Sequence, residues 1–119
     1  MDLSVHLEEL SGPGDGWCLA RVAGELDVAT APKLREQLLA AISQHGPKVV
    51  LDLTEVGFLD STGLGVIVGV LKRARTLGGD LRLVCPSPHL RRVFEITALD
   101  RTMPLSDTVD DVFAGIAGG

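Results

Sequence analysis

Tyrosine is absent from this chain, and aromatic residues make up 3% of it, with Trp17 the single tryptophan. Rings therefore cannot dominate the interior. The core has to be built from Leu, Val, Ile and Ala, and an apolar fraction of 45% is enough to build it. Lys and Arg number 11 against 16 Asp and Glu, for a net charge of -5. No dense basic patch interrupts that balance, which argues against nucleic acid as the main partner and against an anionic membrane surface. The two cysteines, Cys18 and Cys85, form no CxxC pair and no secreted-type framework. Both are expected as buried free thiols in a cytoplasmic protein. The three histidines, His6, His45 and His89, have no metal-ligand spacing to one another or to a cysteine, so no metal is expected. Met1-Asp2-Leu3-Ser4 lacks a basic region, and no apolar run reaches about 18 residues, so neither a signal peptide nor a membrane span is expected. A length of 119 residues predicts one domain over 1–119, with an ordered core from about 3 to 116.

What is present alternates between strand and helix signals. Leu3–Leu10 alternates apolar with polar, the pattern of a half-buried strand. Ser11–Gly16 is a turn cluster, and Trp17–Ala23 is the second arm of an antiparallel hairpin. Gly24–Val28 is expected as a loop, with Thr30 as N-cap of a helix that buries Leu34, Leu38, Ala41 and Ile42 and stops at Gly46-Pro47. Lys48–Leu53 has the look of a strand buried on both faces. A helix follows to about Leu77, stopped by Gly78-Gly79, and then a strand over Asp80–Cys85. Pro86-Ser87-Pro88 leads into a helix from His89 to about Thr97, with Leu90, Val93, Phe94 and Ala98 inward. Met103-Pro104-Leu105 is a short strand whose proline points to an edge position. Ser106 or Asp107 then caps a last helix carrying Val109, Val112, Phe113 and Ile116 on one face, before a frayed glycine-rich end. The order β-β-α-β-α-β-α-β-α predicts an α/β fold: an N-terminal hairpin, then right-handed crossovers in a mostly parallel sheet.

The chain is organised around Phe58–Val70, Phe-Leu-Asp-Ser-Thr-Gly-Leu-Gly-Val-Ile-Val-Gly-Val. A carboxylate followed by small hydroxyls opens a nearly all-apolar helix. Asp60 or Ser61 suits an N-cap, and a capping serine is also an exposed one. The unpaired amides and positive dipole end of a helix start favour oxygen acceptors and anions, so Ser61 is a candidate phosphoacceptor in a docking corner. Leu64, Ile67, Val68 and Leu71 form one stripe, leaving Val66 and Val70 off it. Gly63, Gly65 and Gly69 have a helix-propensity cost of roughly 0.8–1.0 kcal/mol each, so small size is expected to matter there, where another backbone approaches. Glu25 and Asp27 precede the first helix as Asp60 precedes the second. In a parallel sheet both acidic loops can share one carboxyl edge.

Enzyme readings fare poorly. Gly63-Leu64-Gly65 lacks the Gly-Lys-Ser/Thr of a phosphate loop and the third glycine of a dinucleotide fingerprint. Ser61 is not in a Gly-x-Ser-x-Gly elbow and has no assigned base. A receiver-like domain phosphorylated on Asp52 would need an acidic pair after its first strand and a late lysine. Glu8-Glu9 sits within a hairpin strand instead, and no lysine follows Lys72.

At these residues a family becomes recognisable. The chain resembles the anti-sigma factor antagonists (anti-anti-sigma factors), stand-alone STAS-domain proteins of bacterial partner-switching systems. The likeness is carried by Asp60-Ser61-Thr62-Gly63-Leu64-Gly65 after Phe58-Leu59, with Gly24-Glu25-Leu26-Asp27, Leu51-Asp52-Leu53, Gly78-Gly79 and Arg92–Leu99. Thr62 stands where many members have serine. The resemblance implies a STAS fold, a mixed sheet with four helices packed largely on one side. It implies a protein that is not an enzyme, holds no cofactor and exists as a monomer or weak dimer. The unphosphorylated form would bind an anti-sigma factor of the GHKL-type serine kinase class and free a sigma factor. The kinase would phosphorylate Ser61, and a PP2C-type phosphatase would reverse it. The docking surface carries over to Glu25, Asp27, Asp60, Ser61, Thr62, Gly63, Leu64 and Val66. A small-molecule sensor or a scaffold on the same fold is the alternative.

Overall fold

The computed structural model describes residues 2–117. Five strands form one sheet in the spatial order β1-β2-β3-β4-β5: β1 Leu3–Glu9, β2 Cys18–Leu26, β3 Lys48–Leu59, β4 Asp80–Val84 and β5 Leu105–Ser106. β1 and β2 are antiparallel, and every later pairing is parallel. The helices are α1 Ala31–His45, α2 Ser61–Thr76, α3 Pro88–Ile96 and α4 Val109–Ala117. Crossovers of one hand stepping the same way along a sheet, as the right-handed rule predicts for the three here, leave their helices on one face. Accordingly α1, α2 and α3 cover the face that carries Ala20, Leu51 and Leu83. The alternate face, with Leu19, Val50 and Val84, is covered by Val112 and Phe113 of α4, and Trp17 packs edge-on against Phe113 at a centroid distance of 5.6 Å. Because β3 is buried on both faces, Val49, Val50 and Leu51 are all fully buried.

Several boundaries differ from the sequence expectation. β2 does not stop at Ala23 but runs on through Gly24 and Glu25 to Leu26. Gly24 is a bulge with φ +114, and a Cβ there would sit 2.1 Å from the Asp2 carbonyl oxygen. It imitates a turn signal while serving close approach of two strands. β3 likewise continues six residues past Leu53, pairing with β2 alone once β4 has ended. Asp52 is thus mid-strand, which removes the receiver-like reading. Ala98 is exposed, not inward: it takes the left-handed conformation, φ 59, that ends α3, and Leu99 packs on the core instead. β5 begins only at Leu105, since Pro104 has no N–H for the ladder. Thr108, rather than Ser106 or Asp107, accepts the first-turn hydrogen bond of α4, from the Asp111 amide at 3.1 Å. The side chain of Ile116 and the final Gly118-Gly119 lie outside the described residues.

Both thiols are buried and free. Burial pushes each of them above the ordinary thiol range. The Glu9 carboxylate adds to this at Cys18, and Arg91 opposes it at Cys85. Neither thiol should react appreciably with a thiol-titrating reagent at pH 8, while both should react at once in denaturant. A raised folded pKa favours the protonated thiol in the native state. The contribution is therefore intact below about pH 8.5, the unfolded thiol value, and stability declines as pH rises above it. Rapid native-state labelling, or an alkaline melting temperature that does not fall, would contradict this.

Candidate functional site

The β2–α1 and β3–α2 corners meet at one end of the sheet. Leu26 pairs with Leu59, Glu25 pairs with Phe58, and the Asp60 amide donates to the Leu26 carbonyl at 3.0 Å. The chain turns from β3 into α2 at Asp60, whose extended backbone places Oδ1 3.0 Å from the Gly63 amide. The cap therefore falls to Asp60. Ser61 is left as the first helical residue, exposed, with Thr62 exposed beside it. The amides of the first helical residues have no acceptor within the helix and face the same space.

Gly63 explains how this corner fits. A Cβ on it would lie 2.9 Å from both the Cβ and the carbonyl oxygen of Leu26, and 3.0 Å from Leu59 Cδ1. Only glycine lets the first turn of α2 sit this close to the end of β2. The same expectation fails for Gly65 and Gly69, which are exposed and where an added Cβ would meet nothing within 4 Å beyond the helix's own backbone and its chain neighbours. Their lack of a side chain leaves backbone at the surface, running up the helix from Ser61 at spacings of four residues.

The buried stripe of α2 is Gly63, Leu64, Ile67, Val70, Leu71 and Ala74. Val70 replaces Val68 in it, and Val68 is half-buried. Six apolar side chains in the eight positions 64–71 do not reveal which 100° sector faces the sheet; the packing direction of the helix does. Of the expected docking residues, Leu64 is 7% exposed and Gly63 is buried, so they support the surface from below. Val66 is half-buried at its rim.

Asp27 has structural work of its own. Its Oδ1 accepts from the Ala29 and Thr30 amides at 2.9 and 3.0 Å. Thr30 is not the expected side-chain cap: its backbone is already helical, and its hydroxyl donates to the Glu25 carbonyl at 2.7 Å while accepting from the Asp27 amide at 3.0 Å. This knot ties the β2–α1 corner and holds Glu25 and Asp27, both half-buried, at the same end of the sheet as Ser61.

Two features here were not singled out in the sequence. Val28 is 71% exposed and Phe58 43%, large apolar side chains left in solvent at this end of the sheet. Val28 lines an open groove of about 670 Å³ between α1 and α2, with Pro32, Arg35 and Leu39 on one wall and Thr62 and Val66 on the other. An apolar residue directly after Asp27 was the only available signal; the α1 wall depends on which helix packs beside α2. Among the described residues no cluster of three or more His, Cys, Asp or Glu could hold a metal, and no helix is long and apolar enough to cross a membrane.

A mixed sheet whose parallel strand ends present an exposed serine at a capped helix start, acidic loops and an apolar groove defines an α/β module with these groups at one solvent-facing corner. The chain belongs to the STAS domain family, whose model matches residues 9–112. It is 42% identical over 85 residues to the anti-sigma-B factor antagonist of Bacillus subtilis, covering 71% of this chain and 77% of that one. Over 78 residues it is 49% identical to the protein of the same name from Listeria monocytogenes, covering 66% and 68%. The crystal structure of an anti-sigma factor antagonist from Mycobacterium paratuberculosis superposes with a TM-score of 0.84 at 31% identity, over 98% of this chain and 95% of that one.

Proposed function

We propose that this protein is an anti-sigma factor antagonist that docks through the corner around Ser61 and is released when Ser61 is phosphorylated. The observation that carries the reading is the division of labour at the start of α2: Asp60 caps the helix, which leaves Ser61 exposed beside an open apolar groove. The names of its relatives support the same class of partner, an anti-sigma factor. The finer reading makes that partner a GHKL-type serine kinase, which binds the unphosphorylated form over Glu25, Asp27, Asp60, Thr62 and Val66, with Gly63 and Leu64 beneath. A PP2C-type phosphatase restores it, in the cytoplasm.

Electrostatics favour a local switch over a refolding one. A phosphoserine carries roughly -1.5 to -2 charges at neutral pH. The free amides of the first turn attract it while the Asp60 carboxylate repels it, so the two effects oppose within the chain. Against a partner surface shaped for a hydroxyl, nothing offsets the charge. The groove is open to solvent, which suits a protein surface better than an enclosed small ligand.

The test is intact-mass and peptide mass spectrometry of protein purified from its own host, with and without serine phosphatase, resolving Ser61 from Thr54 and Thr62. One phosphatase-sensitive phosphoryl group on Ser61 is expected. Its absence under every growth condition, with no kinase retained by Ser61→Ala, would replace this reading with the sensor or scaffold one.

A further inference from the structure

The outer edge of β1 carries unpaired backbone groups that the docking corner does not use. β1 ends the sheet, and its ladder to β2 is unbroken from Leu3 opposite Gly24 to Glu9 opposite Cys18, with no proline and no bulge. The Glu25 amide donates to the Asp2 carbonyl at 3.3 Å and the Leu10 amide to the Trp17 carbonyl at 3.0 Å. The even-numbered residues thus turn their backbone groups toward β2. Alternation in an antiparallel ladder turns those of Leu3, Val5, Leu7 and Glu9 outward. Lys33 Nζ donates to the Leu3 carbonyl at 2.6 Å, which occupies the first of them. Val5, Leu7 and Glu9 keep a free row, and Val5 and Leu7 are half-buried apolar side chains at the rim of the core. Edge strands are usually blunted; here Lys33 occupies the Leu3 end and Glu8 and Glu9 put charge at the other, while no proline or bulge interrupts the row between them.

We propose that this edge pairs with a second copy of the chain, β1 against β1 antiparallel about a two-fold axis at Leu7, joining two sheets into one. That register uses every free group of Val5, Leu7 and Glu9 and leaves the Lys33 bond intact. Leu7 meets its own copy, and Val5 meets the aliphatic part of Glu9. On the opposite face, His6 falls opposite Glu8 twice, at the closely spaced, non-hydrogen-bonded positions where side chains meet most directly. An axis at His6 would instead set two imidazoles face to face, and an axis at Val5 would require the Leu3 carbonyl that Lys33 holds. Arg21, opposite His6 on β2, lies 3.6 Å from Glu8 and adds an alternating charge to the row. The interface is isologous and closed, so it stops at a dimer. The seam is centred opposite Ala20, while the Ser61 corner lies at the Leu26–Leu59 end. Both docking corners therefore stay open in the pair.

Sedimentation velocity of the full chain from about 5 to about 500 µM tests this, with thermal melts to verify folding. The sedimentation coefficient should climb from monomer to dimer across that range. Glu8→Lys, an exposed change, should weaken the dimer at least about tenfold, and His6→Glu combined with Glu8→Lys should restore it. A monomer at every concentration overturns the proposal. So does a dimer that Glu8→Lys leaves unchanged, or one that the double exchange fails to rescue.

Discussion

Ser61→Asp is expected to lower affinity for the anti-sigma partner at least about a hundredfold, and Ser61→Ala to leave it within about threefold. The asymmetry follows from where the side chain sits. Ser61 contributes nothing to the cap, because Asp60 Oδ1 already holds the Gly63 amide, so removing its hydroxyl leaves the α2 start in place. Adding a carboxylate places a second negative group next to Asp60, on an exposed residue that the proposed docking would cover. An unpaired charge buried at an interface costs several kcal/mol, and about 2.7 kcal/mol is a hundredfold. Calorimetric titration of each variant against the purified partner reads the effect directly. Equal affinities for the two would sink both the switch and the assignment of Ser61 to it. Matching circular dichroism spectra are expected as well, since the repulsion acts across the interface.

The second large effect concerns stability. Gly63→Val should cost about 3 kcal/mol, because it forces side-chain atoms into the Leu26 carbonyl and the Leu59 side chain, where even a single Cβ already lies inside normal contact. Gly65→Ala should go the other way, gaining roughly 0.5–1 kcal/mol, since its neighbourhood is empty and alanine is the better helix former. At this chain length 1 kcal/mol corresponds to roughly 4 °C in Tm, so the two variants should melt well over 10 °C apart. Urea and thermal unfolding give both numbers. If Gly63→Val melts with the parent, the close approach of α2 to β2 is wrong. The binding readout separates the two glycines further: Gly65→Ala puts a methyl on the exposed strip that runs from Ser61, so it should tighten the fold while weakening docking.

The chain order, the hairpin, the parallel crossovers and a cap at Asp60 or Ser61 were legible because each has a local cause; the structure assigns the cap to Asp60. Alternation marks a strand with one wet face, a carboxylate ahead of a small-residue helix marks a cap, and Gly-Pro or Gly-Gly marks a stop. That Ser61 opens a helix as an exposed residue was legible for the same reason, since Phe58–Val70 is one contiguous stretch. Where the reading slipped, a local signal had a non-local cause. Gly24 looked like a turn, yet it is a bulge that lets the Asp2 carbonyl in. The strand signal ended at Leu53, yet pairing with β2 carries β3 on to Leu59. Thr30 looked like a cap, yet its hydroxyl is drawn to the Glu25 carbonyl five residues back.

Composition and periodicity by themselves thus determined the class of fold, the aliphatic core and the serine presented at a helix start. These depend on short-range sterics and hydrogen bonding that a few neighbouring residues carry in full. Only the tertiary structure decided which sector of α2 is buried, that α1 supplies the far wall of the groove beside Thr62, that Val28 stands exposed in that groove, and that Phe58 is left partly exposed at the end of β3. Those outcomes turn on which elements lie side by side once the sheet forms, and an apolar residue reads the same in sequence whether a neighbour covers it or leaves it for a partner.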